Sequence, residues 1–216
     1  MEKINVKNEI GESLNDIWQK YQAYSQQCGE YIALRPVTVE TLATDSLLFI
    51  GLNPSIREND KPSRSYQKNS FPEFYNLNQA VSHPYFKKFE DISEKSGMPW
   101  QHYDMLYLRG TKQAEVQNLT KTKEGTDFLL EQARLSEKIL TLAKPKIIVV
   151  NNAFARDILS EWLGWNFEQS DTLGTKTHNG IPIFFTSMLT GQRALDLGSY
   201  ERLIWHINFV KKQLGL

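Results

Sequence analysis

Apolar and polar positions alternate along the chain with two periods, and the places where one gives way to the other mark its elements. Ile10, Leu14, Ile17, Trp18, Tyr21 and Tyr24 recur at helical spacing, while Glu12, Lys20 and Gln26 fall elsewhere. This predicts an amphipathic helix near the start, ended by Gly29. Four apolar runs predict strands: residues 47–52 (LLFIGL), 103–108 (YDMLYL), 147–150 (IIVV) and 181–185 (IPIFF). The first and third are nearly unbroken, the pattern of a strand covered on both faces. Helical patterns lie between and after them, at 85–95 before Gly97, 128–142 before Pro145, 153–163 with Asn152 as N-cap, and 200–214 after Ser199. Strand–helix alternation predicts an α/β fold of three layers, α/β/α, around a central four-stranded, mainly parallel sheet. No repeat or composition shift divides the chain, so residues 1–216 read as one domain with an N-terminal helical extension at about 8–29.

Composition narrows the function classes. A length of 216 residues with 40% hydrophobic and 12% aromatic content supports a sizeable core and excludes global disorder. Twenty-five basic and 25 acidic residues balance to a formal charge of zero, which argues against a polycation that coats nucleic acid and leaves room for a local basic cleft. A single cysteine, Cys28, excludes an intramolecular disulfide, a cysteine-based zinc site and a cysteine-held iron–sulfur cluster. No apolar run reaches membrane-spanning length and the opening MEKINVKNEIGE lacks a signal-peptide core, so a cytoplasmic protein with no membrane partner is expected. The four histidines show no paired ligand spacing, so no metal or other cofactor is expected.

In a parallel α/β sheet, ligands bind beyond the carboxyl ends of the strands. The residues following the four apolar runs are Asn53-Pro54-Ser55, Arg109-Gly110-Thr111, Asn151-Asn152 and Thr186-Ser187-Met188-Leu189-Thr190, all largely polar. Gly51-Leu52-Asn53-Pro54-Ser55 is the sharpest of these. Pro54 keeps Asn53 extended, and Gly51 lets a ligand or neighbouring backbone approach. An amide held there orients a water while the backbone N–H groups beyond it face an anion or a carbonyl. The stretch 53–81 is long for a loop and locally basic, with Arg57, Lys61, Arg64 and Lys68 against Glu58 and Asp60.

LLFIGLNPS, then FPEF and HPYFKKFEDI, KPKIIVV and TSMLTGQRALDLGS, in that order, resemble the uracil-DNA glycosylase superfamily, with the first motif nearest to its mismatch-type and single-strand-selective members. The resemblance spans most of 47–214 and leaves out the N-terminal helix. It implies a uracil-DNA glycosylase-like fold and a DNA-repair hydrolase that extrudes a damaged or mismatched base from DNA and hydrolyses its N-glycosidic bond. Asn53 matches the water-positioning residue, Phe71 or Phe74 the aromatic that stacks on the base, and Ser187 or Thr190 the support for the leaving group. Gly51, Leu52, Pro54, Ser55, Arg109 and Asn151 would line the base pocket. Arg57, Arg64 and Arg193 would meet DNA phosphates, and Met188-Leu189 would form the wedge that fills the vacated stack.

Two departures separate the chain from that family. The last motif usually begins His-Pro-Ser, and here Thr186-Ser187-Met188 stands in its place. Where uracil-selecting members carry an asparagine after the second strand, this chain has Arg109-Gly110-Thr111, and arginine donates without accepting. A second expectation therefore stands beside the first: a non-catalytic member of the fold that binds a base, a nucleotide or nucleic acid. Read without the family, Phe71 and Phe74 are equally a pair of aromatics anchoring a loop to the core.

Overall fold

A computed structural model of the chain describes residues 2–67, 70–81, 83–191 and 194–216. Its centre is a mixed, mostly parallel sheet of six strands flanked by helices, rather than the four strands expected. In chain order they are β1 (Leu47–Gly51), β2 (Trp100–Asp104), β3 (Ile147–Val150), β4 (Glu168–Ser170), β5 (Thr175–His178) and β6 (Ile181–Phe185). They lie side by side as β2-β1-β3-β6-β5-β4. The first four in this order are parallel, and β5 and β4 add on antiparallel. The two extra strands have no apolar alternation to announce them. β5 joins β6 through a hairpin whose tip, Asn179-Gly180, takes positive φ at both residues (50° and 78°), the backbone a tight two-residue turn requires, and β4 pairs with β5 across the turn at 171–174.

β1 and β3 are buried along their whole length, as their unbroken apolar runs predict. The second strand corrects the reading. It ends at Asp104, and most of the apolar run assigned to it lies beyond the sheet, at Met105–Leu108. Their backbone is satisfied in two ways: Met105 N and Leu106 N donate to the Gly51 (3.1 Å) and Leu52 (2.8 Å) carbonyls, and Gln132 Oε1 takes the N–H groups of Tyr107 (2.9 Å) and Leu108 (3.1 Å). The carboxyl end of this strand is therefore Asp104, five residues before Arg109.

The helices that position the site are α1 (Val6–Tyr21), α2 (Lys87–Ser96), α3 (Lys123–Ala143), α4 (Ala153–Asp157) and α5 (Leu197–Gln213). On one side of the sheet α1 meets α3, with Trp18 edge-on to Phe128 at 5.0 Å, and Ser136 of α3 donates to the Met105 carbonyl. On the other, Phe89 of α2 packs against Phe49 at 4.7 Å, and Tyr200 of α5 donates to Asp91 of α2 (2.6 Å). The N-terminal helix, expected as an extension, is walled into the same core as the sheet. Helix α5 begins at the Asp196 cap rather than after Ser199, whose backbone N–H donates to that cap at 2.9 Å. Asn152 caps α4 as expected, accepting from Phe154 and Ala155.

Two small pairings complete the frame. Lys3–Asn5 runs antiparallel to Thr41–Ala43, and Val37–Val39 runs parallel to Glu73–Tyr75. The second returns the long loop after β1 to the body of the protein. Among the described residues no helix is long and apolar enough to cross a membrane.

Candidate functional site

A cleft of about 720 Å³ opens beyond the carboxyl ends of β1, β2 and β3, bordered by the loop after β6. This is where a parallel sheet gathers ligands, because the loops diverge there and backbone N–H groups point outward. Gly51, Leu52, Asn53, Pro54, Ser55, Arg64, Arg109, Asn151, Met188, Leu189 and Thr190, all named from the sequence, line it.

Asn53 is held by its own neighbourhood. Its Nδ2 donates to the Pro54 carbonyl at 2.9 Å and to the Gly110 carbonyl at 2.7 Å, which fixes the amide plane. The Oδ1 makes no hydrogen bond among the described residues and lies on a cleft-lining side chain, so it is an acceptor free for a ligand or a water. The loops after β1 and β2 are laced together to keep it there: Gly110 N donates to the Pro54 carbonyl (2.9 Å) and Thr111 Oγ1 to the Ile56 carbonyl (2.8 Å).

Deeper in, the cleft holds a carboxyl group the sequence reading passed over. Asp104 sits at the end of β2, paired in register with Gly51 of β1, and its side chain is 12% exposed. The pairing needs the glycine: a Cβ at Gly51 would come within 2.2 Å of Asp104 Oδ1 and 3.1 Å of His102 Nε2. Burial lifts the Asp104 carboxyl to about 7, close to neutral pH. Burial also drives the neighbouring His102 imidazole down to about 3, so it is neutral. The 3.7 Å between His102 Nε2 and Asp104 Oδ1 is thus a contact between two groups that favour their uncharged forms, and not an ion pair. Tyr75 and Tyr85 close the wall. Their hydroxyls are pushed well above the ordinary phenol range by burial first and the nearby Asp104 second. Tyr85 also lies beside His102 Nε2 (3.4 Å) and next to Asn151. His102 Nδ1 is buried with no hydrogen-bond partner among the described residues.

At the mouth, Arg109 is only 9% exposed. Its Nη2 donates to Glu73 Oε2 at 2.5 Å and its Nε to the Arg35 carbonyl at 3.0 Å. Arg64 donates to the other oxygen of the same carboxylate at 2.6 Å. Glu73, His102, Asp104, Tyr75 and Tyr85 line the cleft and were not anticipated. The one signal that pointed to any of them is the lone carboxylate interrupting the apolar YDMLYL.

Other expected residues lie elsewhere. Phe71 is 44% exposed and its ring rests on Gly11 of α1, with Phe74 beside it at 6.1 Å. Neither lines the cleft, and together they anchor the loop to α1, the alternative that the sequence left open. Ser187 and Arg57 are exposed and also outside the lining. Met188 is exposed at the mouth while Leu189 is buried, so the pair splits between rim and core. Arg193 lies outside the described residues.

Among the described residues no group of three or more His, Cys, Asp or Glu side chains is placed to hold a metal ion. No protein-family model and no curated protein matches the sequence.

Proposed function

We propose that the cleft hydrolyses the N-glycosidic bond of a nucleobase-containing ligand, a flipped damaged or mismatched base in DNA being the substrate that the likeness of GLNPS to uracil-DNA glycosylases suggests. One observation carries this reading. An amide with a free acceptor, Asn53, and a buried carboxyl poised near neutral pH, Asp104, share one cleft at the ends of adjacent strands. The amide orients a water but is a poor base. A carboxyl raised to about 7 exchanges a proton at physiological pH.

In the reaction, the bond between the sugar C1′ and the base nitrogen breaks and its electron pair leaves with the base. Water held by Asn53 adds to C1′, and its proton passes to the Asp104 carboxylate. The same carboxylate stabilises the developing sugar cation. Asn151 and the Tyr85 hydroxyl, side by side on the cleft wall, are the donors this reading assigns to the departing base, the role of the absent family histidine. A sheet with helices on both sides and the motif at the end of its first core strand is in keeping with the glycosylase-like three-layer fold.

The second reading, a binding-only member of the fold, is favoured by the position of Ser187, which faces solvent outside the cleft. One assay separates the two. Base release is measured on single- and double-stranded oligonucleotides carrying uracil, hypoxanthine, xanthine or mismatched thymine, with Asn53→Ala and Asp104→Asn proteins alongside. Release by the parent that falls in both variants supports hydrolysis. Release no greater than that of folded variants overturns it in favour of binding alone.

A further inference from the structure

Arginines from three segments of the chain converge on one carboxylate, Glu73, at the cleft mouth. Arg35 comes from the chain before the strand at Val37–Val39, and Arg64 from the long loop. Glu73 opens the strand at Glu73–Tyr75, and Arg109 follows β2. Backbone bonds assemble them: Arg35 N donates to the Arg64 carbonyl (2.8 Å), Tyr66 N to the Ala33 carbonyl (2.7 Å) and Glu73 N to the Pro36 carbonyl (2.8 Å). Arg64 and Arg109 each bind one oxygen of Glu73, and Arg35 Nη2 stands 3.9 Å from it.

The charge does not balance. Three guanidinium groups meet one carboxylate, which leaves an excess of two positive charges in a protein whose total is zero. Burial and the neighbouring Arg64 and Arg35 press on Arg109, against the attraction of Glu73. A purely structural network would recruit a second acid. The other cleft carboxyl, Asp104, is held near neutrality and offers little compensation. Arg109 and Arg64 also keep N–H groups uncommitted among the described residues: Arg109 uses only Nε and Nη2, and Arg64 only Nη1. Forked donors with a surplus of two charges fit a tetrahedral dianion or a run of diesters better than any neutral ligand.

We propose that Arg64 and Arg109 form a phosphate site at the mouth of the cleft, with Glu73 as the carboxylate that preorganises it and Arg35, outside the lining and bonded to the Ser63 carbonyl (3.1 Å), adding its charge from behind. The site depends on the glycosidase reading only for what hangs from the phosphate, since it requires an anion and not a base. Arg109, expected to read the base, faces phosphate instead.

The test uses the full chain and four probes: inorganic phosphate, thymidine, thymidine 5′-monophosphate and a short oligothymidylate without a terminal phosphate. Binding is followed by calorimetry at two salt concentrations, with circular dichroism confirming the fold of each variant. Phosphate-bearing probes are expected to bind at least about tenfold tighter than thymidine, and Arg64→Gln to remove about tenfold of that advantage. Glu73→Gln, which removes one of the two acceptors that hold the arginines in place, should shift their affinities as well. A preference for the monophosphate identifies a free nucleotide or chain end, and a preference for the oligonucleotide with a steep salt dependence identifies the nucleic-acid backbone. Both support the site. Equal binding of thymidine and its monophosphate, or phosphate affinities unmoved by Arg64→Gln and Glu73→Gln, overturns it. Because no probe is cleaved, phosphate binding without base release would fail the glycosidase reading alone, and base release without phosphate preference would fail this one alone.

Discussion

The inner wall and the mouth of the cleft bury ionisable groups in opposite ways. Asp104 and His102 lie 3.7 Å apart, yet burial drives each toward its neutral form. Around Glu73, only a short distance along the same surface, charges are kept and crowded, with three guanidinium groups on one carboxylate. The difference follows from access to partners. The inner pair is ringed by phenols and a glycine, and among the described residues no cation repays the desolvation of a carboxylate. At the mouth, Arg35 and Arg64 reach in from partly exposed positions and keep their charge at lower cost, while the buried Arg109 is held by Glu73. One cleft thus carries a proton-exchanging end and an anion-attracting end.

The largest effect should come from the inner wall. Asp104→Asn keeps the shape and removes the titrating proton, so base release should fall by about 10²-fold or more while the protein stays folded. Single-turnover base release measures this, and undiminished turnover would remove Asp104 from the chemistry. At the mouth the largest effect should be on stability. Glu73→Ala leaves the half-buried arginines facing one another, at roughly 3 kcal/mol, measured by urea denaturation. A change near zero would mean that solvent already neutralises the cluster.

Titration sharpens the contrast further. The Asp104 carboxyl moves from 3.8 to about 7 on folding, so its contribution to stability is complete below 3.8 and is lost as pH rises toward 7. His102 moves from 6.5 to about 3, so its contribution is complete above 6.5 and is lost as pH falls toward 3. Each is worth up to roughly 4 kcal/mol, with opposite slopes that offset one another where the two windows overlap. Asp104→Asn should therefore uncover stability that rises with pH through the acid range, and His102→Gln stability that falls. Denaturant midpoints at several pH values check this, and parallel curves for the two variants would refute the assignment. The smallest effect belongs to Gly51→Ala. The added methyl meets Asp104 at close range, and overpacking of this kind costs about 1–3 kcal/mol. A well-folded Gly51→Ala protein with unchanged base release would show that Asp104 can move aside.

The sequence shows the parts of this molecule whose physics is local. LLFIG and IIVV read as doubly covered strands because every side chain on them is buried, and the Asn53-Pro54 turn reads as a strand end because proline constrains the residue before it. YDMLYL misled because burial alone does not make a strand. Gln132, a helix away, takes the N–H groups of Tyr107 and Leu108, and nothing near Tyr107 in the sequence announces it. The two outer strands were invisible for the converse reason, since polar segments such as Thr175–His178 become strands only through their partners. Most of the site's first motif was legible. Asp104 was missed because its significance depends on Gly51 across the sheet, and the Glu73 cluster because its members meet only in three dimensions.

The anchoring of Phe71 and Phe74 on α1 has a wider bearing. Phe71 rests on Gly11, Lys7 Nζ stands over its ring at 5.9 Å, and Tyr66 donates to Asn15 at 3.1 Å. The helix at the start of the chain is therefore the mooring of the loop that brings Arg64 and Glu73 to the cleft. Slackening that helix, by a cut or by a competing partner, would let the mouth drift while the inner wall stayed in register. The molecule has in effect a tiller, and it lies at the start of the chain, far in sequence from the loop it steers.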